Sequence, residues 1–204
     1  MKKNIMLVLI LVAILSLTAC KSKKVKDNDQ TNSHVDTEAT PKPEEEPEEE
    51  LDEENNNQEK LNAIKKLVVE AYGENYIAGA MEMDDSMLKE LYGIDSSWYD
   101  AKIAEMPMMS VHVDTFIALH PTEGNGDKIK TALEAYKEML VNDSMQYPMN
   151  IAKVNAATIV EEDGNYYFIM LGNNDVEEEN EEKRLEIFKE ENEKAIKVIK
   201  EFAK

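Results

Sequence analysis

Side chains able to hold a metal ion or move a proton are sparse in this sequence, and the best of them gather near position 110. His112 and Asp114 stand two residues apart. Alternate residues of an extended strand share one face at a spacing of about 7 Å, so both could reach one ion. Two ligands do not close a tetrahedral site. His120 has the same parity but would lie roughly 26 Å further along an unbroken strand. Met106, Met108 and Met109 precede His112, and thioethers with an imidazole are donors that suit Cu(I). Methionine is also a flexible filler of apolar cores, and Pro107 divides the group. His112, Asp114, Met108 and Met109 are therefore metal candidates with no metal assigned. A strand with an ordinary polar face accounts for the pair more simply.

Nucleophile and phosphate motifs are missing. No Gly-x-Ser-x-Gly or Ser-x-x-Lys pattern occurs, and Gly124-Asn125-Gly126 lacks the further glycine of a dinucleotide loop. Asp163-Gly164 lacks the alternating acids of an EF-hand loop. Paired carboxylates have no diagnostic value in a chain with 43 acidic residues. The sequence thus assigns no catalytic residue and no cofactor. It favours a non-catalytic binding or interaction domain over two alternatives: an envelope-acting, carboxylate-dependent hydrolase, and a metal-binding Met/His lipoprotein. A deep cleft with two acids of raised pKa would mark the first alternative, and converging sulfur and nitrogen donors the second.

The charge balance narrows the partners. Against those acids stand 23 basic residues, for a net charge of −20 over 204 residues. Nucleic acid is excluded as an expected partner, because phosphate binding needs clustered Lys and Arg. The one cysteine, Cys20, permits no intrachain disulfide. Its surroundings give it another use. Lys2 and Lys3 form a positive n-region, and Ile5 to Leu17 run without a charge, shorter than the about 20 apolar residues of a membrane span. Leu17-Thr18-Ala19-Cys20 then resembles a lipobox, with small residues before the cut and a thiol to carry the lipid. Two acyl chains anchor stably where one is marginal. The expected partner is the membrane, through the lipid on Cys20, and the expected location is extracytoplasmic. The protein or small-molecule partner is not identified.

Lys21, Lys23, Lys24 and Lys26 follow the lipid site and suit anionic headgroups, each at about 1 kcal/mol. Pro41-Lys42-Pro43 and the Glu44–Glu50 run continue a stretch without apolar periodicity, which predicts an acidic disordered linker. His34 lies within it. The organisation expected is a signal peptide over 1–19, lipidated Cys20 and linker over 20–57, and one globular α+β domain over 58–204.

Within that domain, Leu61, Ile64, Leu67, Val68 and Ala71 recur at helical spacing from about Glu59 to Tyr72. Tyr76 to Ala80 reads as a short strand. Asp84 or Asp85 caps a helix through Leu88 and Leu91, closed by Gly93, and Asp95 starts another with Trp98, Ile103 and Met106. Met109 to Leu119 reads as a strand, in which Phe116 breaks the alternation and implies a bulge or a covered face. Asp127 caps a helix through Leu140. Residues 143–155, interrupted by Pro148, read no particular way. Asp163-Gly164 joins two strands in a tight hairpin, the second of them apolar on both faces. A last helix, Glu178 to Ala203, carries Leu185, Phe188, Ala195, Ile199 and Phe202, with Asn192 interrupting the stripe. The order implies a small, mainly antiparallel sheet packed against helices.

The lipobox, the acidic linker, Leu91-Tyr92-Gly93-Ile94-Asp95, the Met-rich approach to a strand and the closing hairpin before Leu171-Gly172 resemble a family of lipoproteins from Gram-positive, Clostridia-like bacteria. That family is catalogued as a domain of unknown function. The resemblance covers about residues 60–172 and leaves the last helix as an extension. It implies an envelope location and carries over no catalytic residue.

Overall fold

Five short strands, β1 (Met81–Glu82), β2 (Tyr99–Met106), β3 (Thr115–Pro121), β4 (Thr158–Glu162) and β5 (Asn165–Met170), form one antiparallel sheet in the order β1-β2-β3-β5-β4. The computed structural model describes residues 48–142 and 145–204, with side chains from Asn56 onward. Cys20, the lipobox and the linker up to residue 47 lie outside the described residues. Five α-helices accompany the sheet there: α1 (Glu48–Tyr72), α2 (Asp85–Tyr92), α3 (Gly126–Asn142), α4 (Pro148–Ala156) and α5 (Glu181–Phe202). The fold is α+β, as the sequence implies.

Parity in the strands sorts their side chains into two cores. On one face Ala101, Ile103, Phe116, Ala118, Tyr167 and Ile169 meet Leu61, Ile64 and Val68 of α1 and Ala195, Ile196 and Ile199 of α5. On the other, Ala104, Ile117, Leu119, Phe168 and Met170 meet Leu88 and Tyr92 of α2, Ile129, Leu133 and Leu140 of α3, and Val154 of α4. Phe116 therefore breaks the alternation because both faces of β3 are covered. The register irregularity lies instead in β2, between Tyr99 and Ala101.

Local signals act where tertiary contacts do not oppose them. Asp84 caps α2 by accepting from the Met87 N–H, and Gly93 ends it at φ +71°. The β4–β5 turn places Asp163 at φ +47° and Gly164 at φ +72°, the two left-handed positions that such a turn demands. β4 forms one edge of the sheet and carries Glu161 and Glu162.

Four elements differ from the sequence reading. Residues 99–106 form β2 rather than a helix: Ala101, Ile103 and Glu105 face α1, while Lys102 and Ala104 face the α2 side. Its alanines favour helix intrinsically, but central pairing in the sheet overrides so small a preference. The strand expected from Met109 begins only at Thr115, because residues 109–112 close a turn in which the His112 N–H donates to the Met109 carbonyl at 3.1 Å. Tyr76 and Ile77 link two 3₁₀ turns, at 73–75 and 78–80, rather than starting a strand, and the Tyr76 hydroxyl donates to the buried Glu105 carboxylate at 2.7 Å. Helix α1 begins at Glu48, inside the stretch read as linker, and the Gln58 side chain exchanges two 3.0 Å bonds with the backbone of Lys102.

Helix α5 packs back on its own domain. Asn192 does not interrupt its buried face but serves it: the side-chain oxygen accepts from the Leu171 N–H at 3.0 Å, and the amide donates to the Ala156 carbonyl at 2.9 Å. Phe188 is buried against Ala152 and Ala156, whereas Phe202 stays largely exposed. Replacing Phe188 by Ala should destabilise the domain by about 3–5 kcal/mol in urea unfolding, the usual cost of truncating a core aromatic. Phe202→Ala should cost well under half of that.

Candidate functional site

Lys153 lies in α4 among Ile151, Ala152, Val154 and Ala156, and its ammonium is sealed from solvent. It donates to both carboxylate oxygens of Asp114 at 3.0 Å, to the Gly172 carbonyl at 3.1 Å and to Asn174 Oδ1 at 2.8 Å. The Phe188 ring covers it, with the ammonium 5.0 Å from the centroid. Burial pushes the Asp114 carboxyl above the usual carboxylate range and the Lys153 amine below its own, while their attraction opposes both shifts. Desolvation of two charges is costly, and the mutual bond with its extra acceptors offsets it. Three stretches are thereby pinned together: α4, the end of the 107–114 loop, and the chain leaving β5.

A second tie runs beside the first. The buried Asn150 side chain donates to the Val111 carbonyl at 2.8 Å. With the loop held to the first turn of α4, large apolar side chains on both segments face solvent. Met108 is 76 % exposed, Met109 62 %, Met145 102 % and Met149 56 %, and Tyr147 and Ile151 are exposed beside them. An open hollow of about 170 Å³ continues from Ile151 to Asn155, Glu181, Glu182 and Leu185. Scattered apolar residues on a surface are ordinary, but six on two tethered segments form a rim that water solvates poorly.

Asp114, Met106 and His120 part from the other metal candidates, while His112, Met108 and Met109 stay on one loop. Asp114 is withdrawn from metal duty, because Lys153 occupies both its oxygens; it does not share a strand face with His112. His112 is half-buried at the end of the 109–112 turn, and Met108 and Met109 project from the same loop. Met106 lies in β2, partly buried against the core. His120 sits at the far end of β3, where Nδ1 lies 2.7 Å from Asp100 and 3.2 Å from the Asn57 amide. Among the described residues no three His, Cys, Asp or Glu side chains converge as metal ligands. No described helix is long and apolar enough to cross a membrane. Sequence reasoning missed Lys153, Asn150, Tyr147, Met145 and Met149. One signal was present: a lone lysine inside the apolar stretch Ile151 to Ala156.

A family model described as a domain of unknown function (DUF4358) matches residues 71–172. The match spans half of the chain, and it starts later than the resemblance at about residue 60 implied. It includes Asp114, Lys153, Gly172 and the whole rim, and it leaves out α5 and most of α1. No curated protein and no solved structure matches the chain.

The ion pair generates a double-mutant prediction. Lys153→Met alone strands a buried carboxylate and should cost about 3–5 kcal/mol in urea unfolding. Adding Asp114→Leu should recover most of that loss, since a well-packed apolar pair is nearly neutral relative to a buried ionic one. A double variant no more stable than the Lys153→Met single would show that the pair is not the tie.

Proposed function

We propose, from the premise that the chain belongs to the family described as domain of unknown function DUF4358, that it is a lipid-anchored extracytoplasmic lipoprotein whose domain works by binding rather than by catalysis. The anchor rests on the sequence: a positively charged start, a short apolar run, and Leu17-Thr18-Ala19-Cys20. The lipid on Cys20 then holds the chain to the outer face of a cytoplasmic membrane, in keeping with an origin in Gram-positive, Clostridia-like bacteria. The observation that supports binding is the exposed rim of Met108, Met109, Met145, Tyr147, Met149 and Ile151. Exposed methionines adapt their shape to a partner, because the thioether chain is unbranched and polarisable. Buried ties to Asp114 and Val111 hold the backbone beneath them, so the face is ordered before anything meets it.

Cys20→Ser should move the protein from the membrane fraction to the detergent-free soluble fraction. Retention of the variant in the membrane, with the signal cut elsewhere, would refute the anchor. For the binding face, a photocrosslinking residue placed at Met145 in the native membrane should give a discrete adduct, while one at exposed Glu123, just past the Pro121 end of β3, should not. Equal adducts at both positions would refute the rim.

A further inference from the structure

We propose that the rim is a soft-metal site, in which the thioethers of Met109 and Met149 and the imidazole of His112 take up Cu(I). This rests on the reading of the rim as the binding face and names its ligand. Exposure separates these methionines from those that pack. Met83 and Met170 are sealed in the core, as a filler should be, whereas Met108, Met109, Met145 and Met149 are more than half exposed. Four solvated thioethers on two adjoining segments call for a use that core packing does not supply.

The backbone holds the three donor positions on two tethered segments. The His112 N–H donates to the Met109 carbonyl, closing a turn whose first and fourth residues lie within about 7 Å of each other. The Asn150 side chain grips the Val111 carbonyl, so the residue preceding His112 is tied to the residue following Met149. Two sulfurs and one nitrogen thus hang from three backbone positions that two hydrogen bonds fix. Met108 and Met145 stand on the same two segments and can exchange into the shell as the ion arrives or leaves.

The donor set decides the ion. Asp114 is the carboxylate nearest in sequence to His112, and both its oxygens are committed to Lys153. That carboxylate is thereby withdrawn from the site, while thioethers with an imidazole match Cu(I) rather than the hard ions Mg²⁺, Ca²⁺ and Mn²⁺. None of the three donors is a carboxylate or a thiolate, so the bound ion keeps its single positive charge in an acidic protein.

The test uses the full chain in detergent, in the Cys20→Ser background so that no free thiol competes. Under anaerobic conditions Cu(I) is titrated against bathocuproine disulfonate. One equivalent should be withdrawn from the chelator, and X-ray absorption should record sulfur and nitrogen neighbours. Met109→Leu, Met149→Leu and His112→Gln should each weaken affinity at least tenfold, whereas Met87→Leu on α2 should leave it unchanged. Ag(I), an air-stable probe of the same preference, should shift the methyl resonances of Met109 and Met149. Uptake that persists undiminished in the triple variant would overturn the proposal, as would failure to compete with the chelator. The leucine variants keep the rim apolar, so crosslinking at Met145 without copper uptake would sink this site and leave the binding face standing. Loss of both would remove the two readings together.

Discussion

A lysine ammonium that folding takes out of water needs a fixed partner, and most of this protein's upper rim is arranged around that need. Lys153 obtains Asp114, Gly172 and Asn174 from two other stretches of chain. An apolar pair of similar volume could hold as much free energy, but it would not fix the stretches in register, since apolar contacts have no direction. Here the carboxylate sets where the 107–114 loop ends and β3 begins. The backbone carbonyl sets how the chain leaves β5. A methionine rim resting on that frame keeps its backbone in place although its side chains gain little from packing.

Below the rim, the sheet solves a different problem. β3 and β5 are buried on both faces, which antiparallel sheets do not require. Small residues make the double cover practicable. Ala101, Ala104 and Ala118 present little bulk, so helices on either side approach closely, while Phe116, Tyr167 and Phe168 fill the remaining space. Polar groups caught in these layers find partners across elements: Glu105 meets Lys65 and Tyr76, and Tyr72 donates to the Glu191 carbonyl. Each contact joins segments far apart in the chain.

Those separations explain what was legible in the sequence and what was not. The Asp84 cap, the Gly93 stop and the Asp163-Gly164 turn are local devices, and each acts as its residues imply, whereas the α5 stripe buries Phe188, Ala195 and Ile199 but not Phe202. Residues 99–106 were not legible, because their alanines look helical until neighbouring strands pair with them. The loop before β3 imitates a strand: Met109, Val111 and Val113 alternate with polar residues, yet a turn and a distant lysine dictate their path. Asn192 misleads in the same way, reading as a flaw in an apolar stripe while two unpaired backbone groups await it. The pairing of Asp114 with Lys153 spans such a length of chain that no spacing rule could announce it. Of the candidate site, Met108, Met109 and His112 were visible as residue types, and the Met145–Met149 half emerged only with the fold.

The two helices that cover one face of the sheet come from opposite ends of the domain, α1 before β1 and α5 after β5. Residues 71–172 supply all five strands, but beyond Tyr72, Tyr76 and Ala78 little of the cover over Phe116, Ala118, Tyr167 and Ile169 on that side. The segment that defines kinship is therefore smaller than the segment that can close a core. During synthesis α1 is made before the strands and covers part of that face, and Ala195, Ile196 and Ile199 of α5 can seal the rest only once α5 has been made. Bringing α5 beside α1 also closes the longest loop in the domain, an entropic cost that grows only slowly with length. The helices that close this face therefore stand on either side of the segment shared with the family, and neither belongs to it as a whole.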